Sequence, residues 1–317
     1  MFRYPKKHPG EPPRGGGNIR VIKKTAPGVC GGTDATQDDS APKTILSDDL
    51  ILFDVTSSLS SYSIPEADPR KRLVYLSAFA APANGDTFLV LESAFGDRRF
   101  DGTQTSVALV KGNVLPELDR LVKECDLAKN NGYHSKTHGL PENFGGRVTV
   151  NYGSGERISY SDNQHPILPY ETAARIYAAF LRLLEGQRVQ APDLSTLTEI
   201  RYNEERKNGG YTRARMTVAE DGSAVNCKTT KFDDPTVYNS EKPVDAQTVE
   251  EIKRVIERCG MLYWTHLPGS SFGASSEKTL TFIFRDGASF NVRNDRALPY
   301  SISGGFFKIE LELTSKH

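Results

Sequence analysis

Gly269-Ser270-Ser271-Phe272-Gly273 has the spacing of a nucleophile elbow, in which a serine on a tight strand-to-helix turn offers its hydroxyl for acyl transfer. His266, five residues before Ser271, would be the base. The residues that follow, ASSEKTLTFIF, lead into a strand where the elbow needs a helix, and two groups on one loop lack a rigid frame. His134, His138 and His266 are candidate metal ligands. Neutral imidazoles hold zinc when a further donor converges, and Asp126, Glu142 or Asp162 is the carboxylate within reach along the chain. His134 and His138 follow a helix cap and sit outside any HExxH pattern, so the competing expectation is that they hydrogen-bond backbone at a helix-to-strand turn. A catalytic centre would therefore draw on His138, His266, Ser271 and Glu142, and a metal on His134, His138 and His266.

Other patterns fail on context. Ser40-Ala41-Pro42-Lys43 and Ser161-Asp162-Asn163 together resemble the signature of the penicillin-recognising serine enzymes, but Pro42 denies the helix that sets serine beside lysine, and no KTG follows. GxGxxG and GxxxxGK[ST] are absent, so no cofactor is expected. Tyr152, Tyr160, Phe282, Phe284 and Phe290 alternate as base-stacking residues would, and equally as core residues would. With 40 basic and 40 acidic side chains there is no cationic surplus for phosphate contacts, and no nucleic-acid partner is expected. Cys30, Cys125, Cys227 and Cys259 form no CxxC, and Cys125 and Cys259 fall on helical stripes, where a quiet buried thiol is expected.

These side chains must be held by elements that the hydrophobic pattern outlines. LILFDVTSSL, RLVYLSAFA and TFLVLESAF read as strands, the last two joined by a turn at Asn84-Gly85. TSVALV is a short strand or the lead-in to a helix. VLPELDRLVKECDLAK places Leu118, Leu121, Val122 and Cys125 on one helical face, with Pro116 in its first turn. GYHSKTHGLPENFGG is expected as loop, RVTVNYGSGERISYS as a hairpin, and YETAARIYAAFLRLLEG as a helix. In the second half, LTEIRYNEER, YTRARMTV and SAVNCKTTK are strands, KFDDPTVYNSEKP is loop, and VDAQTVEEIKRVIERCG is a helix. A hairpin turning at Asp286-Gly287 follows, and FFKIELEL is expected as a closing strand.

The second half replays the first. Setting Cys125 over Cys259 aligns Leu118 with Ile252 and Val122 with Ile256, and both helices are followed by Thr-His, then Leu-Pro. The expected fold is α+β, with mainly antiparallel sheets from hairpins, helices packed on one face, and an internal duplication of a β-β-β-α-β-β unit. The expected divisions are a flexible Gly/Pro-rich tail over 1–44, a first α+β unit over 45–188 and a second, related unit over 189–317. Residues 1–28 carry seven Lys or Arg against Glu11, and residues 29–70 carry eight acids against two bases. No apolar stretch is long enough to span a bilayer and no leader is visible, which favours a cytoplasmic protein over a mature secreted one. The function expected is non-catalytic binding of a protein or polymer partner by a surface that the two halves form. The alternatives are a hydrolase or metal-dependent enzyme centred on the loops after the two central helices, and a structural subunit docked through its tail.

Overall fold

The computed structural model describes residues 18–60, 71–96, 103–141, 144–186, 188–232, 236–266, 276–293 and 298–315. In chain order the first half has β1 (Ile19–Lys23), β2 (Thr33–Asp38), β3 (Leu50–Ser58), β4 (Leu73–Ala83), β5 (Asp86–Phe95), β6 (Gln104–Val110), α1 (Leu115–Glu124), β7 (Tyr133–Thr137), β8 (Gly146–Tyr152), β9 (Arg157–Asp162) and α2 (Tyr170–Leu184). The second half has β10 (Leu197–Arg206), β11 (Tyr211–Val218), β12 (Ala224–Lys231), β13 (Val237–Val244), α3 (Ala246–Arg258), β14 (Ser276–Phe284), β15 (Ser289–Arg293) and α4 (Tyr300–Thr314).

The strands make a nine-stranded sheet, β1-β2-β7-β9-β8-β3-β4-β5-β6, and a six-stranded sheet, β13-β12-β11-β10-β14-β15. Every pairing is antiparallel except the short β7–β9 contact. Four layers result. The first helix pair packs Leu118, Leu121, Val122, Ile176 and Phe180 on one face of the large sheet, against Phe53, Val55, Leu89 and Val150. The second pair lies between the sheets: Val249, Ile252, Ile256, Ile302, Phe306 and Ile309 meet Ile200, Tyr202, Met216 and Phe282 of the small sheet on one side. On the other they meet Phe79, Phe88, Val90 and Leu109 from the second face of the large sheet. Phe79 and Phe88 pack edge to face, with ring centres 6.2 Å apart.

Helices on one face of a sheet is therefore the right description of the small sheet, while β4–β6 are covered on both faces. β6 is a full strand because Ala108 and Val110 face one helix layer and Leu109 the other. Counted from β3 and from β10, that puts four strands, not three, before each central helix. FFKIELEL is a correction: it is helical, within α4, with Ile302, Phe306, Ile309 and Leu313 buried at helical spacing and Leu311 exposed. YHSKT and VYNSEKPV, expected as loop, are β7 and β13, formed by ladder pairing where the side-chain pattern is polar. Residues 19–23 and 33–38, inside the stretch expected to be flexible tail, are β1 and β2, and β2 joins the sheet through β7.

From β3 onward, and leaving out β7, which has no counterpart strand among the described residues, the two halves share one strand order: β9-β8-β3-β4-β5-β6 and β15-β14-β10-β11-β12-β13. α1 is capped by Cys125 and followed by Asp126 at φ 49°, and α3 by Cys259 and Gly260 at φ 56°. α2 and α4 both begin Leu-Pro-Tyr, with Pro169 and Pro299 as N-caps in extended geometry. The Thr-His pairs, in contrast, differ in setting. Thr137 ends β7, and Thr265-His266 ends a 3-10 turn over Met261–His266.

Gly260 lies where the halves touch. A Cβ there would overlap Val107 Cγ1 of β6, and the residue holds a left-handed conformation that glycine tolerates best. Gly260→Ala is expected to lower unfolding free energy by about 2 kcal/mol, combining overpacking with backbone strain. Asp126→Gly, at the matching cap with the same backbone sign, should leave stability unchanged or raise it by up to about 1 kcal/mol. Urea denaturation of both variants checks the contrast.

Candidate functional site

The second face of the large sheet carries a polar row that crosses eight strands in register. Thr36 of β2 pairs with His134 of β7, His134 with Ser161 of β9, Ser161 with Arg147 of β8, and Arg147 with Thr56 of β3. Thr56 continues to Ser77 of β4, Ser77 to Glu92 of β5, and Glu92 to Thr105 of β6. Paired residues on neighbouring strands point to one side, so the row is one continuous strip of side chains. The Ser161 hydroxyl and His134 Nδ1 are 2.9 Å apart, and the Thr56 and Ser77 hydroxyls 3.2 Å.

The strip has a covered end and an open end. Ser77 and Glu92 are buried beneath the second half, while Arg147 and His134 reach solvent. Beside it, Asp54 is only 4% exposed and accepts from Arg147 Nη2 at 2.8 Å. Its Oδ1 is buried with no hydrogen-bond partner. Burial pushes the Asp54 carboxyl up, and the Arg147 charge and hydrogen bond oppose this in part. At the covered end Glu92, also 4% exposed, accepts a hydrogen bond from the Ser301 hydroxyl in the first turn of α4. Burial alone raises the Glu92 carboxyl to about 7. His134 is held below the ordinary imidazole value by burial and then by the Arg157 charge, so it is neutral at pH 7 and able to accept a proton.

The residues singled out by motif fall in different places. His138, at the end of β7, has Nε2 3.1 Å from Asp34 Oδ2, and its backbone N–H donates to the Gly32 carbonyl. It thus ties the β7 turn to β2, while Asp34 is held below the usual carboxylate range chiefly by the Thr25 backbone N–H. Ser271 and Glu142 lie outside the described residues, as does the side chain of His266. Among the described residues no three of His, Cys, Asp and Glu gather as a metal would require. Tyr152, Tyr160, Phe282 and Phe284 are buried in the cores. Cys259 is buried and Cys125 partly so, with burial raising both thiols, and Cys30 and Cys227 are exposed.

Motif reading passed over Asp54, Ser77 and Glu92. Their signal is compositional: an acid inside LILFDV and another inside TFLVLESAF, each at the centre of an apolar strand where only a partnered carboxylate is tolerated. Chemically, the Ser161–His134 pair can pass a proton. Among the described residues no carboxylate reaches the imidazole to orient it, and the backbone beside Ser161 is taken up by ladder bonds to β8. The chain matches no family model and no curated protein.

Glu92 links pH to stability. Its native value lies above the ordinary 4.5, so the unfolded chain ionises first as pH rises. The protein should lose about 3 kcal/mol of stability between pH 4.5 and 7, at about 1.4 kcal/mol per unit of difference. Glu92→Gln should flatten that part of the profile. Chemical denaturation of both proteins at pH 4.5, 6 and 8 measures the difference, and parallel profiles would contradict the assignment.

Proposed function

We propose that this chain binds another protein or a polymer without transforming it, and that its recognition surface is the open part of the strip on β2, β7, β9 and β8. The observation that supports this is the contrast along a single sheet face. Where the face is apolar, at Phe79, Phe88, Val90 and Leu109, the second half covers it. Where it carries His134, Arg147, Ser159, Ser161 and Arg157, it is left open as a broad patch of donors and acceptors. A sheet face of this kind offers hydrogen bonds at fixed spacing over several strands, which suits an extended surface better than a small substrate.

The two halves are read as copies of one β-β-β-β-α-β-β-α unit, on the shared strand order, the matched left-handed caps and the two Leu-Pro-Tyr helix starts. On this reading the second copy stabilises the first by covering β4–β6. No helix among the described residues is long and apolar enough to cross a membrane.

The Ser161–His134 contact favours a second reading, hydrolysis with Ser161 as nucleophile. One experiment separates the two. Ligands selected from a displayed peptide and glycan library on the wild-type protein should bind the variant Arg157→Glu/His134→Ala at least tenfold less tightly. They should bind Arg213→Glu, on the small sheet, with wild-type affinity. Binding that survives the first variant overturns the recognition reading. Turnover of ester substrates that disappears in Ser161→Ala would replace it with the hydrolytic one.

A further inference from the structure

A sheet edge exposes unpaired N–H and C=O groups, and proteins normally blunt it with charge, proline or a covering segment. Among the described residues there are four sheet edges, and three follow that rule. β13 carries Glu241, Lys242 and Pro243 in its last four residues. β6 is closed at one end by the Val110–Arg188 bridge and by Val189 N–H donating to the Leu109 carbonyl at 2.8 Å. β15 is five residues long and packs against the 3-10 turn at Met261–His266.

β1 is the fourth, and no other described segment covers its outer edge. Its sequence is IRVIK, and Ile19, Val21 and Ile22 are 66%, 59% and 50% exposed. The Asn18 carbonyl accepts from Asp39 N–H, so by antiparallel alternation the backbone groups of Ile19 and Val21 point away from β2, toward solvent. Residues 18–28 contain Arg20, Lys23 and Lys24 and no acid. Arg20 is already engaged by Asp39 at 3.0 Å, which leaves the two lysines as the charge beside the edge.

We propose that the free edge of β1 receives an extended segment of another protein, one alternating aliphatic and acidic side chains, as a tenth strand of the large sheet. Main-chain hydrogen bonds to Ile19 and Val21 give the pairing, the exposed aliphatics give apolar cross-strand contacts, and Lys23 and Lys24 select acidic over basic partners. A second copy of this chain offering its own β1 would bring two basic strands together, and the charge disfavours it. This edge is a different surface from the open strip, and either can fail without the other.

The test uses the full chain and a nine-residue blocked peptide alternating valine with glutamate, beside the same peptide with lysine in place of glutamate. The glutamate peptide should bind at least tenfold more tightly at low ionic strength, with the gap narrowing in salt. It should slow hydrogen exchange at the Ile19 and Val21 amides. Val21→Pro, which removes an outward N–H, should abolish binding. Lys23→Glu/Lys24→Glu, which leaves the backbone untouched, should reverse the preference between peptides. Equal binding of both peptides, or unchanged binding by both variants, overturns the proposal. So does protection of these amides that grows with protein concentration alone, which would assign the edge to a second copy.

Discussion

Phe79, Phe88, Val90 and Leu109 point away from the helices that cover their own sheet, so they need a second cover. Fully burying side chains of this size contributes about 1.5–3 kcal/mol each, and leaving four of them together in water would make the first half aggregate. α3 and α4 supply the cover while closing the core of the small sheet on their opposite side. The rest of the architecture is arranged around this double duty. Gly260 has no side chain because Val107 comes too close. Gly305 lets α4 settle on Cys259 and Met261, since a Cβ there would overlap the Cys259 sulfur. Glu92 is buried because it sits in a strip whose neighbouring rows had to be covered.

The small sheet shows how the stack ends. Phe53 pairs with Val150 and Ala80, and Ile200 in the same place pairs with Phe282 and Met216. In that register Phe79 corresponds to Arg215, Leu52 to Glu199, Val90 to Cys227 and Val107 to Glu241. Three of these four apolar positions are charged in the small sheet and the fourth is an exposed cysteine, while Phe88 corresponds to Val225, which is 42% exposed. Arg215 and Arg201 both bind Glu199, and Arg213 stacks over the Tyr211 ring with its guanidinium 4.7 Å from the ring centre. A face of that composition is stable in water, so a third helix layer has nothing to bury there.

The sequence carried most of the strands and the first three helices, because these rest on periodicities of two and 3.6 residues. It hid α4, since the alternation of Ile309, Leu311 and Leu313 imitates a strand when only helical spacing through Phe306 accounts for the burial. It hid β13, whose side chains are mostly exposed, and β7, whose buried positions are the polar Ser135 and Thr137; both are held by backbone pairing. It also hid the strip, whose members come from eight separate segments and meet only when the register is fixed. Motif spacing favours sites built within one loop, and this one is built across a sheet. Near-continuous apolar runs such as LVYLSAFAAPA were nonetheless a legible sign of burial on both faces.

The cover for β5 comes from the far end of the chain. Ser301 and Phe306 are more than 200 residues downstream of Phe95, where β5 ends. At synthesis rates of about 5–20 residues per second, α4 emerges from the ribosome tens of seconds or so after the strands it must shield. The first half thus has its own helix pair in hand early and spends that interval with an apolar sheet face uncovered. The nascent chain is at its stickiest while the small sheet is being made, and a chaperone that holds extended apolar surface would meet it then.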